Sequence, residues 1–143
     1  MIAVDTNLLI YAHRAGTAEH PAARKALEKA MMNPKGWGFS VACLAEFWSI
    51  VTHPACSGRP STPQEAARFI TVLVKEGGAT VWLPDIGFPE HLLRIAADMK
   101  VSGPKIFDLQ IALMAYENHA RAIWTHDAHF QSVPGLRVED PLI

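Results

Sequence analysis

The sequence has 143 residues, half of them hydrophobic, with 13 Lys and Arg against 14 Asp and Glu and a formal charge of −1. That balance predicts one ordered domain over residues 1–143, and it excludes both a disordered chain and bulk electrostatic attraction to nucleic acid. Two cysteines exclude a disulfide framework, while the lack of a long apolar run or a basic leader predicts a cytoplasmic protein without membrane contact.

Ile2, Ala3 and Val4 predict a short buried strand, and Leu8, Leu9, Ile10 and Ala12 a helix directly behind it. Asp5, Thr6 and Asn7 fall at the corner between them, where Asp is a favoured helix cap. Residues 17–32 predict a second helix with Ala22, Ala26, Leu27 and Ala30 on its buried face; Asn33, Pro34 and Gly36 end it. Residues 37–40 predict the second strand, with Ser40 capping a helix over 41–53. Pro54, Gly58, Arg59, Pro60 and Pro63 mark a loop, and Thr62 caps a helix over 64–76. A third strand over 79–83, helices over 90–100 and 105–119, and strands at 122–125 and around 136–138 complete the pattern. Strands alternating with helices predict an α/β fold, a parallel sheet covered on both faces. The four tryptophans accompany strands or an apolar helix and are expected in the core.

Four acids stand out in this pattern. Asp5 and Asp127 each follow a predicted strand, at the sheet edge where open parallel sheets bind ligands. Asp85 also follows a strand, in VWLPD, and is read as a turn residue. Asp108 lies in KIFDLQIALMAY with apolar neighbours in nearly every helical direction, which predicts a buried helix and a carboxylate that needs a cation. Glu46 is the single charge in SVACLAEFWSIV; Ala42, Glu46, Ser49 and His53 share a helical face that can also simply meet water. Like charges converge only where something positive offsets them. Oxygen donors without a cysteine or paired-histidine pattern favour Mg²⁺, with Mn²⁺ as a substitute.

The IAVDTN start, the isolated Glu46, Asp108 in FDLQIALMA and Asp127 in THDAHF together resemble a PIN domain of the VapC toxin type. The resemblance covers essentially the whole chain. It implies a three-layer α/β/α domain with a central parallel sheet of four to five strands in the order 3-2-1-4-5. It also implies an Mg²⁺-dependent endoribonuclease, the toxin of a pair with a VapB-type antitoxin, acting on RNA as a homodimer. Carried over by position, Asp5, Glu46, Asp108 and Asp127 form the catalytic and metal-binding set, with Asn7 and Thr125 orienting the acids. Lys105, three residues before Asp108, is a candidate phosphate contact. Arg14, Arg59 and Arg121 carry no assignment, and His126 and His129 depart from the charged residues frequent around this last motif.

Two other readings stay open from sequence. A haloacid-dehalogenase-like phosphatase would use Asp5 as nucleophile, but its motif needs a second Asp where this chain has Asn7. A non-catalytic RNA- or protein-binding module on the same fold has no reason to keep all four acids.

Overall fold

The computed structural model describes residues 1–56 and 58–143. One sheet of five strands is formed by β1 (Ile2–Val4), β2 (Trp37–Ser40), β3 (Ala79–Trp82), β4 (Ala122–Trp124) and β5 (Arg137–Glu139). Its order is β3-β2-β1-β4-β5 and every pairing is parallel, the order the family resemblance implies. Among the described residues, six helices connect the strands: α1 (Thr6–His13), α2 (His20–Met31), α3 (Val41–Val51), α4 (Pro63–Lys75), α5 (Phe88–Asp98) and α6 (Lys105–Glu117). Helix α1 packs on α2 and α3, α3 on α4, and α5 on α6, the grouping that right-handed crossovers on the two faces of a parallel sheet require.

From β1 the chain proceeds towards β2 and β3; from β4 it proceeds the other way, to β5. The reversal lies between β1 and β4, and the crevice beyond their C-terminal ends is the place such sheets bind ligands. The ladder continues into that crevice: Asp5 N–H donates to the Trp124 carbonyl at 3.0 Å, and Thr125 N–H to the Glu139 carbonyl at 2.9 Å.

Local signals built the frame largely as expected. The Ser40 hydroxyl accepts from Cys43 N–H at 3.3 Å and so caps α3. Thr62 and Glu65 form a reciprocal capping box on α4. Gly38 in β2 is needed for close approach, since a Cβ there would stand 2.3 Å from the Thr80 carbonyl and against the Trp82 ring. Trp37 and Trp82 are core residues, and Trp48 and Trp124 are half-buried against the core.

Two expectations need correction. The buried face of α2 is Ala23, Ala26, Leu27 and Ala30, not Ala22, because alanines at both 22 and 23 leave the helix phase ambiguous in sequence. Helix α6 is not buried all round: Phe107 is 62% exposed and Tyr116 also reaches solvent. Among the described residues, no helix is long and apolar enough to cross a membrane.

Candidate active site

Asp5 caps α1 directly beyond the C-terminal end of β1, within electrostatic reach of Glu46 and Asp108. Its Oδ1 accepts from the adjacent Thr6 N–H at 2.7 Å, so the cap bond goes to the first helical residue. Its Oδ2 accepts from the Thr125 hydroxyl at 2.8 Å and, more distantly, from Asn7 Nδ2 at 3.4 Å. The residue is only 7% exposed. Burial pushes its pKa up to about 6; the bonds from Thr125 and Thr6 work against that, and the charges of Glu46 and Asp108 add to it. Mutual repulsion is therefore present but secondary to desolvation.

Asn7 and Thr125 act as a single bridge between β1 and β4. The Thr125 hydroxyl donates to Asp5 and accepts from Asn7 Nδ2 at 2.9 Å and from Asp127 N–H at 3.1 Å. Asn7 Oδ1 accepts from His126 N–H at 3.2 Å. Asn7 thus serves as donor and acceptor at once, which an Asp carboxylate at this position does not do. The second Asp of a phosphatase motif would break this network.

Thr125→Val keeps the side-chain shape at a fully buried position and removes the hydroxyl at the hub. We expect a loss of about 1–3 kcal/mol in denaturant melts, the range for leaving buried groups without partners. Because the Thr125 bond lowers the Asp5 pKa, a titration of the Asp5 carboxyl followed by NMR should move further upward in this variant.

The other acids are held separately. Asp108, half-buried in the first turn of α6, accepts from Gln131 N–H through Oδ2 at 3.2 Å. Lys105 Nζ lies 3.7 Å from the same oxygen and donates to the His129 carbonyl, so this ammonium ties α6 to the loop after β4. Asp127 caps that loop, its Oδ1 accepting from His129 N–H at 2.9 Å. Glu46 is exposed on α3, as its polar helical face allows, yet its charge reaches both Asp5 and Cys43. Asp85 is a turn residue, accepting from Gly87 N–H at 3.0 Å, and takes no part.

The structure therefore couples Asp5 electrostatically to Glu46 and Asp108, and ties Asp127 to Asp5 through Thr125. Among the described residues, no three His, Cys, Asp or Glu side chains stand close enough together to form a complete metal cage. The donors fit a hard divalent ion that keeps most of its water, since Mg²⁺ is commonly held by one or two carboxylates. The Cys43 thiol does not compete, because complete burial pushes its pKa up to about 12 and keeps it protonated. The Thr6 hydroxyl, next to Asp5, is buried and makes no well-formed hydrogen bond; the Cys43 thiol is its polar neighbour.

Three features lay beyond sequence reasoning. The Gln131 amide on Asp108 and the pairing of His126 Nδ1 with Asp140 Oδ2 at 2.7 Å join residues that no periodicity connects. His13 Nε2 and Ser61 Oγ, 2.7 Å apart, meet across 48 positions.

With this geometry in view, the comparisons with known proteins agree on one family. A family model described as PIN domain matches residues 2–136. VapC ribonuclease Mb2897 of Mycobacterium bovis is 31% identical over 142 residues, spanning 99% of this chain and 96% of its own. Ribonuclease VapC43 of Mycobacterium tuberculosis matches to the same extent. Among solved structures, Mycobacterium tuberculosis VapC20, described as a sarcin-ricin loop cleaving toxin, superposes with a TM-score of 0.69 at 15% identity, covering 91% of this chain and 92% of that one. VapBC2 of Rickettsia felis, bound to a DNA fragment from its promoter, superposes with a TM-score of 0.70 at 18% identity, covering 98% of each chain.

Proposed function

Because this chain belongs to the PIN domain family, in its VapC branch, we propose that the acidic crevice is the active site of a divalent-metal-dependent endoribonuclease. The observation that carries the reading is the buried Asp5 carboxylate, locked in place by Thr6 and Thr125 where the chain direction reverses. A carboxylate 7% exposed with a pKa pushed up to about 6 is poised for a cation, which removes the cost of its charge.

Asp5 and Asp108 hold the principal ion, Mg²⁺ with Mn²⁺ as substitute; Asp127 and Glu46 hold a second ion or the surrounding water. A divalent cation bound there supplies Lewis acidity and positive charge against the phosphodiester. The protein's part is positional. Thr125 and Thr6 keep the Asp5 oxygens from rotating, Gln131 N–H does the same for Asp108, and Asn7 holds the β4 end against α1. Lys105 balances Asp108 and braces the His129 loop; its phosphate contact requires that it leave the His129 carbonyl.

The relatives' names and the VapBC structure support a toxin role, with an antitoxin chain as partner and RNA in the cytoplasm as substrate. The reading is tested by incubating the protein with total RNA in Mg²⁺, in Mn²⁺ and in EDTA, and sequencing the cut ends. Discrete cuts with either metal and none in EDTA are expected; intact RNA in all three, from a folded protein freed of antitoxin, would sink it.

A further inference from the structure

A cavity of about 390 Å³ opens at the C-terminal end of α1, with His13, Arg14, Gly16, Arg59, Ser61 and Glu65 in its lining, and none of the four acids borders it. Its volume falls within the rough 300–1,000 Å³ of small-ligand sites. Two guanidiniums against one carboxylate leave the lining net positive. Arg59 grips Glu65 through two bonds, at 3.2 and 3.1 Å, and that grip with the Thr62 N–H holds the Glu65 carboxyl down to about 2. Arg14 donates to the Arg59 carbonyl at 3.1 Å and towards Cys56 Sγ at 3.4 Å, which fixes its planar fork at the cavity wall. The His13 ring packs edge-on against both Phe47 and Phe69, which stack on each other, and is held to Ser61. Burial and the Arg14 charge keep His13 below its ordinary pKa, so the guanidiniums carry the cavity's positive charge.

Helix α1 connects this cavity with the acids. Asp5 caps one end of its eight residues and Arg14 the other, about 12 Å of helix at 1.5 Å per residue. Asn7, Ile10, Tyr11 and Arg14 recur at three- and four-residue spacing and are half-buried, whereas Thr6, Leu8, Leu9 and Ala12 are buried. A partly open stripe thus runs from the acidic crevice to the cavity. Midway along it Tyr11, half-buried against the core, meets the His126 ring edge-on with centroids 6.0 Å apart.

The geometry points to a phosphate-binding subsite in this cavity, receiving the backbone of an RNA strand that lies along the Asn7–Arg14 stripe. The inference rests on the RNA-cleaving reading above and extends it to the surface that holds the strand away from the cut. Guanidinium forks match phosphate oxygens in shape and charge, and such contacts dominate affinity for nucleic acid.

Gly16 provides the test. It is exposed, its backbone is outside the left-handed region, and an added Cβ would meet nothing within 4 Å. Gly16→Glu sets a carboxylate at the cavity without displacing a neighbour; Gly16→Lys sets an ammonium there. Met32→Glu, 82% exposed at the end of α2, adds the same charge remote from the cavity and serves as the control. Binding of a short single-stranded RNA oligonucleotide is measured by fluorescence anisotropy in EDTA, across a salt series. Gly16→Glu should weaken binding roughly tenfold, as like charge facing a phosphate does. Its log–log salt dependence should be shallower by about 0.7, the slope carried by one neutralised phosphate of a single strand. Gly16→Lys should strengthen binding, and Met32→Glu should leave both values at wild type. Equal binding by the two Gly16 variants, or equal weakening by Gly16→Glu and Met32→Glu, would overturn the subsite. Because no cleavage is read, failure is separable: RNA cut normally by a protein whose Gly16 variants bind alike removes the subsite alone, whereas uncut RNA with the Gly16 variants split by sign removes the nuclease reading alone.

Discussion

Asp5→Asn should lower the RNA-cleavage rate at least about a hundredfold while leaving the fold intact. Residues that merely orient a metal ligand cost roughly 10–100-fold when removed, and Asp5 is placed as a ligand itself. The fold should survive because Asn caps a helix as well as Asp does and its Oδ1 can still accept from Thr6 N–H. On the other side the amide Nδ2 replaces the Oδ2 that accepts from Thr125, and because the Thr125 oxygen already accepts from Asn7 Nδ2 and Asp127 N–H, its hydroxyl loses its acceptor and must turn away from position 5. That adjustment is local, within the Asn7–Thr125 bridge. Wild-type cleavage by this variant, with matched melts and metal, would defeat the metal-nuclease reading. Loss of cleavage with loss of the fold would be distinguished by circular dichroism on the same sample.

The second large effect is on stability and has a definite sign. The Asp5 pKa stands at about 6 in the folded chain against an ordinary value of 3.8, so between those limits the folded state binds more protons than the unfolded one. The stability Asp5 contributes is fully present below pH 3.8 and is lost as pH rises through about 6. The shift corresponds to about 3 kcal/mol. Metal-free Asp5→Asn does not titrate at this position, so its stability relative to wild type should grow by about that amount from pH 4 to pH 7 in denaturant melts. Glu46→Gln and Asp108→Asn should flatten the wild-type profile only slightly, because burial rather than their charge is the main cause of the shift. Saturating Mg²⁺ or Mn²⁺ should reverse the ranking near pH 7, since a ligand selective for the native state stabilises it by mass action. A wild-type profile parallel to that of Asp5→Asn would mean that Asp5 is not a buried, ionisable centre.

The parts of this molecule that were legible from sequence are those governed by local chemistry. IAV followed by DTN was readable as strand, cap and helix because apolar runs and capping oxygens act over a few residues; Ser40 and Thr62 cap α3 and α4 for the same reason. The strand order came with the family resemblance, and it sets Asp5 beside Thr125. The role of Asp108 was inferred from burial that is only partial: Phe107 beside it faces solvent, and the carboxylate is steadied by Lys105 and the Gln131 amide rather than by apolar enclosure. Glu46 showed the opposite, since its exposed helical face was legible but its electrostatic reach to Asp5 was not. The Arg14 cavity was invisible because it is assembled from the end of α1 and the loop before α4, and neither segment marks the other in sequence.

One measurement bears most directly on the claim that these acids act as a single metal site. Mn²⁺ binding near pH 7, followed by electron paramagnetic resonance of the free ion, compares wild type with Asp5→Asn, Asp108→Asn and Asp85→Asn. The geometry predicts that wild type and Asp85→Asn bind Mn²⁺ alike, whereas Asp5→Asn and Asp108→Asn each weaken binding by about tenfold or more. Equal Mn²⁺ affinity in all four proteins would show that Asp5 is a helix cap in a buried hydrogen-bond network and nothing further.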